Sequence, residues 1–205
     1  MRLTAPFLLC ALVQTAIPSY PPPYPRDGTT SLIDNGRVLV WDVTWPRGAP
    51  PLMHRHPYDM TGIYYWPGAR TITSLDGTKR TSTTDAGRIQ WLRAGVIHAE
   101  EGASDDSLRA VMIELKGDHP SGTIDTSTAV PAFAVTTMPL LDNERVTVWD
   151  YPGPQTKSSK HRHPTDTVFV FTAQKTARAT FIPSGTVHEA DEVPAGTKAT
   201  VFELK

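Results

Sequence analysis

His54-Arg55-His56-Pro57-Tyr58-Asp59 returns, 107 residues on, as His161-Arg162-His163-Pro164-Thr165-Asp166. A tandem repeat of this kind marks domain boundaries from the chain itself, because each copy must be a unit that packs in the same way. Upstream, Asp34-Asn35-Gly36-Arg37-Val38-Leu39-Val40-Trp41-Asp42 aligns with Asp142-Asn143-Glu144-Arg145-Val146-Thr147-Val148-Trp149-Asp150 at a shift of 108, with most positions identical. Downstream, Gly95-Val96-Ile97-His98 aligns with Gly185-Thr186-Val187-His188 at a shift of 90, and both copies close on Glu-Leu-Lys, at 114–116 and 203–205. The drop from 107 to 90 places a deletion in the second copy, between its His-x-His pair and its third histidine. There the first copy carries residues 71–87, rich in Thr, Ser, Gly and Asp, a composition that suits a longer hairpin or an excursion over a barrel mouth.

The surrounding composition predicts strands. Nineteen prolines and fourteen glycines are scattered among short Val/Ile/Thr/Trp/Tyr runs, the pattern of many short strands joined by turns. Residues 37–43, 60–66 and 108–115 read as strands in the first copy, and 145–149, 167–172 and 197–204 in the second; no amphipathic helix stands out. Strands this short and numerous must close into barrels or sandwiches to hide their edges. The expected fold is all-β, with two tandem barrels. At 205 residues each half can bury its own core. Twenty basic residues balance twenty-one acidic ones, so no charge excess recruits nucleic acid or anionic lipid.

The N-terminus breaks the pattern. Arg2 precedes an apolar stretch over residues 5–17 that is too short to span a membrane and has the layout of an export signal. The expected division is a leader at 1–19, a Pro-rich segment at 20–30, a first barrel at 31–116, a linker at 117–134 and a second, shorter barrel at 135–205. Export places the protein outside the cytoplasm, periplasmic or secreted, with no membrane attachment after cleavage. Cys10, the one cysteine, lies in the leader, so the mature chain would hold no disulfide and no thiolate ligand.

Six of the seven histidines occupy matched positions of the repeat, and His119 alone has no counterpart. Residues i and i+2 of a strand face the same side, so His54 and His56, and likewise His161 and His163, can both point into a barrel. A third imidazole from a turn, His98 or His188, completes each set. Three neutral imidazoles suit one divalent first-row metal per barrel (Fe, Mn, Zn, Ni or Cu) and leave coordination positions open. By parity with His56, the side chains of Met60, Tyr64 and Trp66 should share the first interior, and Thr167, Phe169 and Phe171 the second. These stripes read either as a substrate pocket or as ordinary core. Glu100, Glu189 and Tyr64 are candidates for proton transfer or for hydrogen bonding to a bound substrate.

The strand His-x-His followed by Ile182-Pro183-Ser184-Gly185-Thr186-Val187-His188 resembles the two motifs of the cupins. The first copy has Leu92-Arg93-Ala94-Gly95-Val96-Ile97-His98, with Arg93 in place of the proline. The resemblance covers residues 31–116 and 135–205 and implies a bicupin: two jelly-roll barrels of six to eight strands, each with a metal near its mouth. The glutamate that often ligates metal in this family is missing, since Met60 and Thr61, or Thr167 and Val168, stand at its positions. Asp59 and Asp166, one place earlier, either anchor the turn after Pro57 and Pro164 or reach the interior through a bulge. A bare three-histidine set resembles that of cupin thiol dioxygenases and some diketone-cleaving relatives. The resemblance therefore implies a dioxygenase-like oxidoreductase or an isomerase acting on a small organic substrate, or else a non-catalytic module that binds a metal, a sugar or a small acid. Edge-strand pairing predicts a homodimer, or a pseudo-dimer formed by the two copies within one chain.

Overall fold

A computed structural model describes residues 19–49, 52–117, 138–151, 160–189 and 193–205. The expected leader, apart from Ser19, lies outside these residues, as do His119 and nearly all of the expected linker. The described chain is all strand and loop. The first half contains β1 (Thr29–Asp34), β2 (Val38–Trp45), β3 (His54–Arg55), β4 (Asp59–Trp66), β5 (Gly68–Ser74), β6 (Lys79–Thr84), β7 (Ile89–Leu92), β8 (Ile97–Gly102) and β9 (Leu108–Leu115). The second contains β10 (Leu141–Asp142), β11 (Val146–Tyr151), β12 (Lys160–Arg162), β13 (Asp166–Ala173), β14 (Thr176–Ile182), β15 (Val187–Glu189) and β16 (Lys198–Leu204).

Each half is a jelly roll of two opposed sheets. In the first, the order β1-β2-β9-β4-β7 faces β3-β8-β5-β6; in the second, β10-β11-β16-β13-β14 faces β12-β15. The large sheets match strand for strand, so the repeat in sequence is a repeat in topology. The β5–β6 hairpin is the unmatched piece. It pairs along β8 through Arg70↔Gly102 to Ser74↔His98 and so forms half of the first barrel's second wall. Of the two expectations for residues 71–87, the hairpin holds and the excursion over the mouth does not. Among the described residues the second barrel has a two-stranded wall.

The large sheets are buried on both faces. One face of β2, β4 and β9 (Val43, Trp45, Met60, Tyr64, Leu108, Ala110, Met112) fills the first barrel. Tyr151, Phe169, Phe171, Ile182, Ala199 and Val201 fill the second. The opposite faces meet each other: Val38, Val40, Ile63, Val111 and Ile113 pack with Val146, Val148, Val168, Val170, Phe202 and Leu204 in one cluster. Two-sided burial explains why Ala110 to Leu115 reads as an almost unbroken apolar run instead of an alternating one.

Polar contacts across this interface are reciprocal. Arg37 pairs with Asp166 at 3.3 Å, and Arg145, the repeat equivalent of Arg37, pairs with Asp59 at 3.8 Å. Arg37 also donates to the Lys205 carbonyl at 2.9 Å, and Arg145 to the Gly117 carbonyl at 2.8 Å. This exchange is the signature of a two-fold relation between the copies within the chain. The two aspartates have a further duty: Asp59 accepts the Ala94 amide at 2.8 Å and Asp166 the Ser184 amide at 2.9 Å. They hold the turn before the third histidine, not the turn after Pro57 and Pro164, and neither enters a barrel.

Candidate metal centre

The short strand β3 brings His54 opposite His98 of β8, and β12 brings His161 opposite His188 of β15. What fixes the second histidine of each pair is the turn that follows β7 or β14. His56 donates its amide to the Val96 carbonyl at 3.0 Å, and its own carbonyl accepts from Gly95 at 2.8 Å. Gly185 donates to the His163 carbonyl at 3.0 Å in the same way. Gly95 and Gly185 make these bonds from the left-handed region, with φ of 88° and 75°, where a side chain would be strained.

The imidazoles converge. In the first barrel the ring centroids lie 5.1, 4.8 and 5.0 Å apart, and in the second 5.0, 4.3 and 5.2 Å. Within each trio one ring nitrogen per histidine lies within 4.8 Å of the others. His54 Nδ1 sits 3.0 Å from the Leu52 carbonyl; donating there leaves Nε2 as a lone-pair donor, the arrangement seen in metal-bound imidazoles. That Nε2 is buried with no hydrogen-bond partner.

His56 Nε2 and His98 Nε2 face each other at 3.1 Å, and His161 Nε2 and His163 Nε2 at 3.3 Å. Such spacings fit two nitrogens each about 2.0–2.1 Å from a shared ion. Burial, followed by the neighbouring imidazoles, lowers the pKa of His56 and His163 to about 3. Burial lowers His54 and His98 as well. The first trio and His163 are therefore held neutral, the form that ligates. Both sets of residues fit a divalent metal ion.

The two centres differ in what lies beside them. A cavity of about 280 Å³ adjoins His98 and is lined by Met60, Tyr64, Arg70, Gln90 and Glu100 among others. Glu100 stands two residues after His98 and so faces inward with it. Its carboxylate takes an ion pair from Arg70 at 2.5 Å and a hydrogen bond from Trp45 Nε1 at 3.0 Å, and lies 3.9 Å from His98 Nε2. Burial pushes Glu100 up, but Arg70, His98 and the Trp45 donor outweigh it and bring the pKa to about 2. Burial pushes the Tyr64 phenol up to about 12, so it keeps its proton.

Glu189 follows His188 by one place instead of two, and alternation turns it to the exposed outer face of β15. It lies away from the ring cluster it was expected to serve. In the second barrel Phe169 packs 5.3 Å from His163 and 6.4 Å from His188, with Phe171 stacked behind it at 6.1 Å and Thr167 fully buried.

Trp66 is also misplaced by strict alternation. The β4–β9 register slips between Tyr64 and Trp66, and this bulge sends Trp66 to the outer face. There it packs at the edge of the inter-barrel cluster and donates to Asp106 at 2.8 Å. Sequence reasoning missed Arg70 and Gln90, which lie in or near the segment without a counterpart. It also missed the 20–25 segment: Tyr24 is buried in the first barrel's core cluster, and the Pro21 carbonyl accepts from Arg55 at 2.9 Å.

No protein-family model and no curated protein matches the chain. Among solved structures it is similar to a cupin domain from Bordetella pertussis Tohama I, at 30% identity over 43% of this chain and 92% of that one, with a TM-score of 0.40. Over nearly its whole length it is similar to AerE from Microcystis aeruginosa, at 12% identity over 91% of this chain and 98% of that one, with a TM-score of 0.52. A cupin 2 conserved barrel domain protein from Leptotrichia buccalis is 11% identical over 86% of this chain and 88% of that one, with a TM-score of 0.48. The AerE likeness carries the fold, and the identity to the Bordetella domain, matched over almost all of that domain, carries the family: this chain belongs to the cupins.

Proposed function

We propose that the protein is a metal-dependent oxidoreductase of the dioxygenase type, acting on a small organic substrate in the first barrel, with the second barrel as a metal-holding partner. The observation that carries this reading is the cavity beside His98, where a neutral imidazole trio adjoins a phenol, an amide and an ion pair. When bound, a first-row metal supplies a Lewis acid with open coordination positions. The chain's own groups do the rest. Tyr64 keeps its proton and donates it to Gln90 Oε1 at 3.4 Å, a long bond that it would exchange for one to a substrate oxygen; Glu100 and Arg70 fix the charge around His98. Met60 and Leu92 give the site an apolar side that excludes water. The N-terminal layout supports a place outside the cytoplasm.

A second reading is a non-catalytic exported module that binds a metal, a sugar or a small acid. It is favoured by the state of the acid–base groups: Glu100 is engaged by Arg70 and Trp45, and Tyr64 holds its proton, so neither is a ready base.

Metal analysis of protein purified without added metal, on wild type, His56→Ala and His163→Ala, separates these readings. Near two equivalents of metal should fall to one in each variant. Oxygen uptake on a panel of diketones, thiols and phenols should be lost in His56→Ala and kept in His163→Ala. Bound metal with no oxygen uptake on any of these compounds would select the binding module.

A further inference from the structure

We infer that the first barrel's cavity takes a small organic carboxylate, anchored by Arg70 and attracted by Arg80 and Arg88. We further infer that the β5–β6 hairpin, which the second copy lacks, created this specificity. The inference names a substrate class for the site just described and rests on that reading of the first barrel as the working one.

Arg70, on β5, is 9% exposed. Its guanidinium carbon lies 5.1 Å from the Trp45 ring centroid and 5.2 Å from that of Tyr64, so two aromatic faces hold the planar group in place. Glu100 engages Nη1. Nε is buried with no acceptor, although a guanidinium carries five N–H donors. A buried cationic donor without an acceptor is costly to keep, and a planar carboxylate is the partner whose geometry fits a guanidinium edge.

The charge of the cavity points the same way. Arg70, Arg80 and Arg88 line it against the single carboxylate of Glu100, an excess of two positive charges in a chain whose formal charge is -1. Arg80 and Arg88 are exposed, placed to raise the local concentration of an anion. Met60, Ile72, Leu92 and Met112 line the same cavity and offer an apolar surface to an organic body, which an inorganic anion could not use.

Arg70 and Arg80 both stand on β5 and β6. The second copy has no such strands, and Ala190 stands where the repeat places Glu100. The two histidine trios are therefore near-equivalent as metal sites, while among the described residues the wall that carries Arg70 and Arg80 belongs to the first barrel.

Calorimetric titration of the full chain, metal-loaded and chelator-treated, with benzoate, its neutral isostere benzamide and inorganic phosphate tests this. Benzoate should bind once per chain, at least tenfold tighter than benzamide and tighter than phosphate. Arg70→Gln with Glu100→Gln removes the ion pair without leaving one charge buried and should weaken benzoate at least tenfold. Arg80→Gln with Arg88→Gln changes exposed positions only and should weaken it several-fold, with a flatter salt dependence. Equal binding of benzoate and benzamide, tighter binding of phosphate, or unchanged benzoate affinity in the Arg80/Arg88 variant would overturn the inference. Metal content of the same samples keeps the two readings apart. Benzoate binding by protein that takes up no metal when metal is supplied removes the metal reading and leaves the carboxylate site; full metal without benzoate binding does the reverse.

Discussion

Histidines 56 and 163 are almost fully inaccessible, and their folded-state pKa of about 3 lies below the 6.5 of a free imidazole. In metal-free protein the sign follows from proton counts. Between pH 6.5 and about 3 the unfolded chain takes up protons that the folded chain refuses, so stability is full above 6.5 and falls as the pH drops through that window. His54 and His98, lowered by burial, act in the same direction. Glu114 and Glu203, pushed up by burial, act in the opposite sense, and a histidine variant separates the two contributions. Chelator-treated protein should show a lower urea midpoint at pH 5 than at pH 7.5, by on the order of a few kcal/mol of stability. His56→Gln should flatten that dependence; a midpoint that rises toward pH 5 in wild type would contradict the burial argument. At this scale the two histidine clusters were legible because the repeat set six histidines in register. Arg70 was not, since a residue in an unmatched insertion has no partner to single it out. Glu100 and Glu189 looked alike in sequence, yet one place of spacing after the histidine sends one inward and the other to solvent.

Strand β4 shows how an element fixes the site more finely than its hydrophobicity suggests. Gly62 sits between the inward Met60 and Tyr64, and a Cβ there would lie 2.3 Å from the Val111 carbonyl oxygen and 2.7 Å from Met112 Sδ. The glycine thus allows β9 to approach closely, and the Met112 side chain takes the space a Cβ would occupy. Gly62→Ala should cost about 1–3 kcal/mol by overpacking, read as a lower denaturation midpoint. Because β4 carries both Met60 and Tyr64, benzoate affinity should fall with it. An unchanged midpoint would mean that the strands have slack the distances deny. Parity read from His56 placed Met60 and Tyr64 correctly and lost Trp66, because a bulge leaves no trace in a run where both faces are apolar. The β5–β6 hairpin had a composition that fitted a loop or a hairpin equally, and only its pairing with β8 makes it a wall.

At the scale of the whole molecule, the apolar faces of the two large sheets form one cluster to which both copies contribute. Neither barrel can expose that face to water without losing the burial that a chain of this size depends on. The arginine–aspartate exchange between Arg37, Asp166, Arg145 and Asp59 sets the relative orientation of the sheets. Stability should accordingly be shared: a cavity made in one half should loosen the other. Phe202 on β16 is fully buried in this cluster, on the opposite side of its sheet from the second trio's aromatic neighbours. Phe202→Ala should cost about 3–5 kcal/mol. In hydrogen exchange, the loss should appear in peptides spanning Leu108–Leu115 of the first barrel as well as in those around the substitution, because sub-global opening follows cooperative units and not copy boundaries. If β9 kept its protection while β16 lost it, the barrels would be separate folding units joined by a chain, and the first barrel's cavity would owe nothing to its partner.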